Sequence, residues 1–349
     1  MWGSLPRTLL RVGKVSAESA KCDLQAIVKK EECAMLEIFK TAENGDFIRL
    51  EKIEKDCWVS LTAPSPKELE EVAGMTGVEL DALRAALDEE EKARIELEDN
   101  YHLILVDSPE IETELVDEVE RKRYTTMPLA IITAKDIVIT VTLRETPILQ
   151  YFKTGKIKDF FTYKKTRFIM QVFYKVATVF LQYLRVINRE SDRLEDKLKE
   201  SQRNLEIMEM HELEKALVYF TTAIRSNETV FEKLLRTEKV KRYPEDEDLL
   251  EDVIIENRQA LEMANIYSGI LNSTMDTFSS ILSNNLNNVM KALATLTIVL
   301  SIPTMIASFY GMNVPLPGQN QPYGFLFVLG GALLIASIIA IIFRKKDLF

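Results

Sequence analysis

The chain has 349 residues, 28% of them charged, and a formal net charge of −10. That balance argues against nucleic acid as a partner, because phosphate contacts need a basic surface. Three cysteines without CxxC spacing (Cys22, Cys33, Cys57) and only two histidines (His102, His211) argue against a zinc cage or a Cys/His catalytic pair. The odd cysteine count fits a reducing compartment.

At the N-terminus, "MWGSLPRTLLRVGKV" has no apolar core followed by a cleavage site, so no signal peptide is expected. Residues 1–155 read as an α/β domain in which strands and helices alternate. Strands are expected over 34–40, 46–53, 57–62, 100–108 and 136–143, where β-branched and aromatic residues cluster. Ser65-Pro66 with Glu68 three residues after the serine is a capping box that opens a helix. A second helix is expected over 79–93. From 156 to 244 the strand signal is gone, and heptad-like apolar spacing over 160–208 and 212–239 predicts an antiparallel helical region. Pro244 and the acids after it suit a helix start. No proline intervenes from Glu245 to Ile302. One helix of roughly 58 residues, about 87 Å long, is therefore expected. Its first part, 245–288, is read as a stalk.

Two apolar runs follow. Residues 289–310 and 325–343 are each about 30 Å long as helix, matching a hydrocarbon core. The 311–324 connection is uncharged and rich in Gly, Pro, Asn and Gln. Lys291 stands at the entry of the first run, and Arg344, Lys345 and Lys346 open the 344–349 tail. The positive-inside rule then places both termini in the cytoplasm and the connection outside.

The second run is uniformly greasy, but the first carries a stripe. Asp276, Ser280, Ser283, Asn287, Met290, Leu293 or Ala294, Thr297, Ser301, Thr304 and Ser308 recur at steps of four and three. Such spacing forms one face of a helix in a left-handed bundle. Polar atoms at membrane depth suit a bundle interior or a wet cavity, although small hydroxyl residues also serve helix packing. Two helices enclose no pore, so a conducting reading needs several copies. The stripe has no carboxylate within the bilayer, and neutral oxygens suit a cation that keeps its water, as Mg²⁺ does. Met290 and Leu293 form an apolar interruption of the kind that gates by dewetting.

The outer connection begins Tyr310-Gly311-Met312-Asn313. This "YGMN" at the outer end of the first of two terminal membrane helices resembles the CorA family of divalent-cation transport proteins. The resemblance covers the whole architecture and is firmest over 245–349. It implies a homopentamer around a single pore, with Mg²⁺ as usual cargo and Co²⁺ or Ni²⁺ also passing. By the same resemblance Asn313 forms a selectivity ring whose backbone is shaped by Gly311 and Met312. Asn287 and Thr304 match polar pore positions, Met290 and Leu293 the constriction, and Asp276 an acidic position below it.

There are departures. The loop "VPLPGQNQP" lacks the acid common in the family, and Ser301 replaces a bulky apolar residue. The family's regulatory intersubunit Mg²⁺ site matches Asp252, but its partner pattern falls on "LRAAL" (83–87), without acids. Asp88, Glu89 and Glu90 are the nearest substitutes. The competing reading makes Glu251, Asp252 and Glu256 a solvated acidic face. No GxxxxGK[ST] is present, so no ATP-driven step is expected. The acidic run 89–91 reads more simply as solvated surface than as an enzyme site. Transport of another divalent ion (Co²⁺ or Ni²⁺ inward, Zn²⁺ outward) and a non-transporting membrane scaffold are the alternatives.

Overall fold

The strands β3 (Trp58–Thr62) and β7 (Ile137–Thr142) are buried along their whole length and pair in parallel. A strand buried on both faces favours apolar residues, and "WVSLT" and "IVITVT" supply them at every position but Ser60, Thr62, Thr140 and Thr142, small hydroxyl residues that are buried with the rest. The computed structural model describes residues 35–42, 45–116, 119–155, 157, 159–201, 204–237, 244–312 and 323–345. Around the β3–β7 pair lie β1 (Met35–Thr41), β2 (Phe47–Leu50), β4 (Arg94–Leu97), β5 (Tyr101–Val116) and β6 (Val119–Ala134). They form one sheet in the order β2-β1-β3-β7-β6-β5-β4. Every other pairing in it is antiparallel, so the sheet is mixed rather than a regular α/β alternation.

Alternate residues divide the sheet between two cores. Val59, Leu61, Leu103, Leu105, Ile132, Ile139 and Val141 face α1 (Pro66–Thr76) and α2 (Leu80–Arg84) through Leu69, Val72, Ala82 and Leu83. The Ser65 capping box is formed: its side chain accepts from the Glu68 N–H, and the Glu68 carboxylate accepts from the Ser65 N–H at 2.7 Å. Gly77 closes α1 at φ +77°, where a side chain would be strained. On the other face Trp58 packs with Phe39, Phe152, Phe160 and Phe168, and its indole N–H donates to Thr140 Oγ1 at 2.9 Å. Phe152 belongs to α3 (Pro147–Lys153) and Phe168 to α4 (Lys165–Ser201).

The second predicted helix is a correction. It holds only over Leu80–Arg84 and a 3₁₀ turn, Ala85–Leu87, because Asp88 turns outward and accepts the Glu90 N–H at 3.0 Å. Residues 94–97 are then strand β4. The long helices α4 and α5 (Asn204–Arg236) form the antiparallel pair, and α6 (Pro244–Tyr310) runs for 67 residues. Pro303 lies inside α6, and the helix continues through it to Tyr310. Helix α7 (Gly324–Lys345) follows. The chain divides into two compact units, one ending at Ser268 and the other beginning at Gly269.

One ionisable group stands out in the first unit. Burial raises the Asp107 carboxyl from its ordinary 3.8 to about 7. An acid raised in this way binds its proton more tightly folded than unfolded, so its stabilising effect is complete below about 4 and is lost as pH rises through about 7. Asp107→Asn, which is isosteric and uncharged, should therefore remove a loss of thermal stability between pH 5 and pH 8. Melting temperatures of both proteins at the two pH values check this; equal pH dependence refutes it.

Candidate functional site

The second unit holds the conducting candidates. Two of the described helices, α6 and α7, are long and apolar enough to cross a membrane. Their large apolar side chains are mostly exposed: Met290 and Leu293 are each 61% exposed. A single chain does not cover such surface, and lipid or further copies must. The buried positions of the unit include the small residues Thr295, Ala332 and Ala336, as expected where membrane helices approach closely.

Asp276, Asn287, Thr297, Ser301, Thr304 and Ser308 are all exposed on α6, together with Met290 and Leu293. The hydroxyls have a definite polarity. Thr297 Oγ1 donates to the Leu293 carbonyl at 2.8 Å, Ser301 Oγ to Ile298 at 2.8 Å, and Thr304 Oγ1 to Leu300 at 3.0 Å. Each hydroxyl proton is thus spent on the helix backbone, and the oxygen keeps its lone pairs for whatever faces it. Such a surface accepts hydrogen bonds. At the C-terminal end of α6 the Gly311 N–H reaches Ala307 O and the Met312 N–H reaches Phe309 O, so the backbone winds tightly off the helix. Asn313 and the rest of the connection up to residue 322 lie outside the described residues, as does Lys346.

The acidic candidates lie in the first unit. Asp252 is exposed on α6, and Asp88, Glu89 and Glu90 are exposed on the turn before β4. Among the described residues no group of three or more His, Cys, Asp or Glu converges as a metal site. Within one chain, then, Asp252 is not assembled with the other three. Glu89 is engaged elsewhere: its carboxylate meets Arg144 Nη1 at 3.1 Å. The same guanidinium holds Glu110 through Nε at 3.1 Å and Glu112 through Nη2 at 2.8 Å. Burial pushes the Glu110 carboxyl up, against the pull of Arg144. Sequence reasoning missed this clamp, since Glu89, the Glu110/Glu112 pair on β5 and Arg144 just after β7 come from three separate parts of the chain.

A sheet-bearing soluble unit, one long helix and two C-terminal apolar helices define a membrane transporter class. Residues 54–345 match the family of CorA-like Mg²⁺ transporter proteins. The chain belongs to that family; it is a divalent-cation transporter and not an enzyme. It is 26% identical over 328 residues to a cobalt/magnesium transport protein CorA of Methanocaldococcus jannaschii, covering 89% of this chain and 99% of that one. A second CorA, from Thermotoga maritima, is 28% identical over 164 residues, 47% of either chain. The complete structure of the M. jannaschii CorA magnesium transporter superposes with a TM-score of 0.75 at 24% identity, covering 89% of this chain and 98% of that one. The full-length CmaX structure superposes with a TM-score of 0.64 at 14% identity, covering 91% and 99%.

The Arg144 clamp makes its own prediction. Arg144→Gln leaves the buried Glu110 beside two further acids, so thermal stability should fall at neutral pH. The deficit should shrink in high salt, which screens like charges. An unchanged melting temperature at low salt refutes the clamp.

Proposed function

We propose that the chain mediates Mg²⁺ influx as a homopentamer, with the α6 stripe lining a central path and Asn313 forming the outer selectivity ring. The observation that carries this reading is the polarity of the Thr297, Ser301 and Thr304 hydroxyls. A hydrated cation presents water protons outward, and a lining of lone pairs accepts them without stripping the shell. Mg²⁺ sheds water reluctantly, so a neutral acceptor wall suits it better than a carboxylate cage. An inside-negative potential contributes about 4.6 kcal/mol per 100 mV for a divalent ion, which is enough to drive entry without nucleotide.

In this reading Asn287 and Ser308 extend the wall, Asp276 concentrates cations at its inner end, and Met290 with Leu293 forms a collar that closes by dewetting. Gly311 and Met312 shape the turn that presents Asn313. Asp252 shares a regulatory Mg²⁺ with Asp88, Glu89 or Glu90 of a neighbouring subunit; Glu89 reaches that ion only by leaving Arg144. The protein sits in the inner or plasma membrane with both termini cytoplasmic. A second reading, Co²⁺ as cargo, is favoured by the cobalt/magnesium name of the M. jannaschii relative.

Uptake by purified protein in proteoliposomes, compared for Mg²⁺, Co²⁺, Ni²⁺ and Zn²⁺, tests the function. Mg²⁺ entry is expected to dominate, and Asn313→Ala to reduce it at least tenfold with assembly intact. Met290→Gly with Leu293→Gly should leak at any internal Mg²⁺, and Asp252→Lys should shift inhibition by internal Mg²⁺. Wild-type rates in the alanine variant would remove Asn313 from selectivity; an unshifted curve in the lysine variant would remove the sensor. Orientation has a separate check. A cysteine at Gln319 should label from outside and one at Lys346 only after permeabilisation, and the reverse pattern would sink the pore reading.

A further inference from the structure

Two asparagines of the first unit are fully buried, and neither is used by the transport reading: Asn227 on α5 and Asn257 on α6. Each bonds to main chain on the next element. Asn257 Nδ2 donates to the Ile224 carbonyl on α5 at 2.9 Å. One turn along α5, Asn227 takes both backbone groups of Asp107 on β5: its Oδ1 accepts the N–H and its Nδ2 donates to the carbonyl, both at 2.8 Å. Strand β4 pairs with β5 only over 102–105, so the edge beyond is open there. Asp107 lies opposite Pro128 on β6, and both of its backbone groups point the other way, to the open edge. The Asn227 amide thus stands in for the missing strand neighbour.

The surroundings of Asn257 show what it contributes. Leu250, Val253, Ala260 and Ala264 are its buried neighbours along α6, at steps of three and four. An apolar seam of that kind is non-directional and permits a slip by one turn. Asn257 occupies a seam position between them, where a buried amide specifies register at a cost in stability. That cost is visible, because Asn257 Oδ1 is buried without a hydrogen-bond partner among the described residues. A residue kept for stability alone would not carry an orphaned acceptor. The same helix continues to Tyr310 and carries Met290 and Leu293.

We propose that Asn257 and Asn227 are positioning residues that fix the register of α6 on α5 and of α5 on the open sheet edge, so that the conducting helix moves only with the sheet. The proposal rests on the transport reading for its consequence, but not for its geometry.

The test uses full-length protein in proteoliposomes and separates the two. Arg258 bonds Glu228 and Glu232 across the same helix pair, at 2.7 and 2.8 Å. Cysteines at 228 and 258 therefore report the native register, and cysteines at 225 and 258 a slip of one turn. With Asn257 present the 228/258 cross-link should dominate. Asn257→Leu should lower the ratio of 228/258 to 225/258 product at least threefold without lowering the melting temperature. An unchanged ratio overturns the register role whether or not the protein transports. In the parent background Asn257→Leu should also change initial Mg²⁺ uptake at least threefold in either direction at equal protein load. An unchanged rate with a changed ratio overturns the link to conduction. Asn227→Leu, which strands two backbone groups of β5, acts on α5 against the sheet; it should lower the melting temperature and leave the 228/258 to 225/258 ratio as in the parent, and an unchanged melting temperature counts against the role of Asn227. Absence of Mg²⁺ uptake by the parent itself is a failure of the transport reading, not of the register.

Discussion

A hydrocarbon core offers no water, so every polar group that enters it must be satisfied by the chain. That constraint organises the second unit. It makes the backbone helical, and it sends the hydroxyl protons of Thr297, Ser301 and Thr304 back to carbonyls of their own helix. The same step that makes these side chains tolerable at membrane depth orients their oxygens outward. Tolerance of polarity and a surface fit for a hydrated cation are here one arrangement, not two. The greasy α7 has no such stripe, and its buried residues Ala332 and Ala336 suit packing alone.

The first unit solves a different problem with similar means. A sheet with β4 at one edge leaves main-chain groups of β5 open past Leu105. Unpaired strand edges are a liability that proteins cover with helices or loops. Here α5 covers the edge, with the Asn227 amide on Asp107 and the Lys233 ammonium on the Ile95 carbonyl at 3.3 Å. Covering the edge with side-chain amides rather than with bulk apolar packing fixes where along the strand the helix lies.

How much of this was legible in the sequence follows from the range of each signal. The apolar runs, the Ser65 capping box and the central strands β3 and β7 are local patterns, and the structure has them. Strand β6 was missed because its outer half, "VERKRYTT", is charged and pairs only with β5 there. The helix expected over 79–93 stops at Asp88 because that side chain bonds the chain two residues on, an option propensity does not weigh against helix. The Arg144 clamp and the two asparagines depend on residues far apart in sequence, where no periodicity points. For the site, the exposed α6 stripe was readable as spacing, whereas hydroxyl polarity needed coordinates. Asn313 rests on the motif alone.

Charge is handled differently on the two sides of residue 269, and the contrast bears on where the energy of ion movement arises. In the first unit carboxylates are drawn into pairs within the chain: Glu89, Glu110 and Glu112 on Arg144, Glu228 and Glu232 on Arg258, Glu37 on Lys153. A carboxylate held by arginine is a poor trap for a passing cation, since the ion must first displace a bidentate or forked donor. In the second unit the described stripe between Asn287 and Ser308 offers no carboxylate at all. Between Asn287 and Ser308 a divalent ion would therefore meet no carboxylate. An ion that is held only by neutral oxygens keeps its water and is released as readily as it is taken. In the proposed reading, selection then falls to the geometry of acceptors, and the driving force to the membrane potential, which acts on charge whatever the wall is made of.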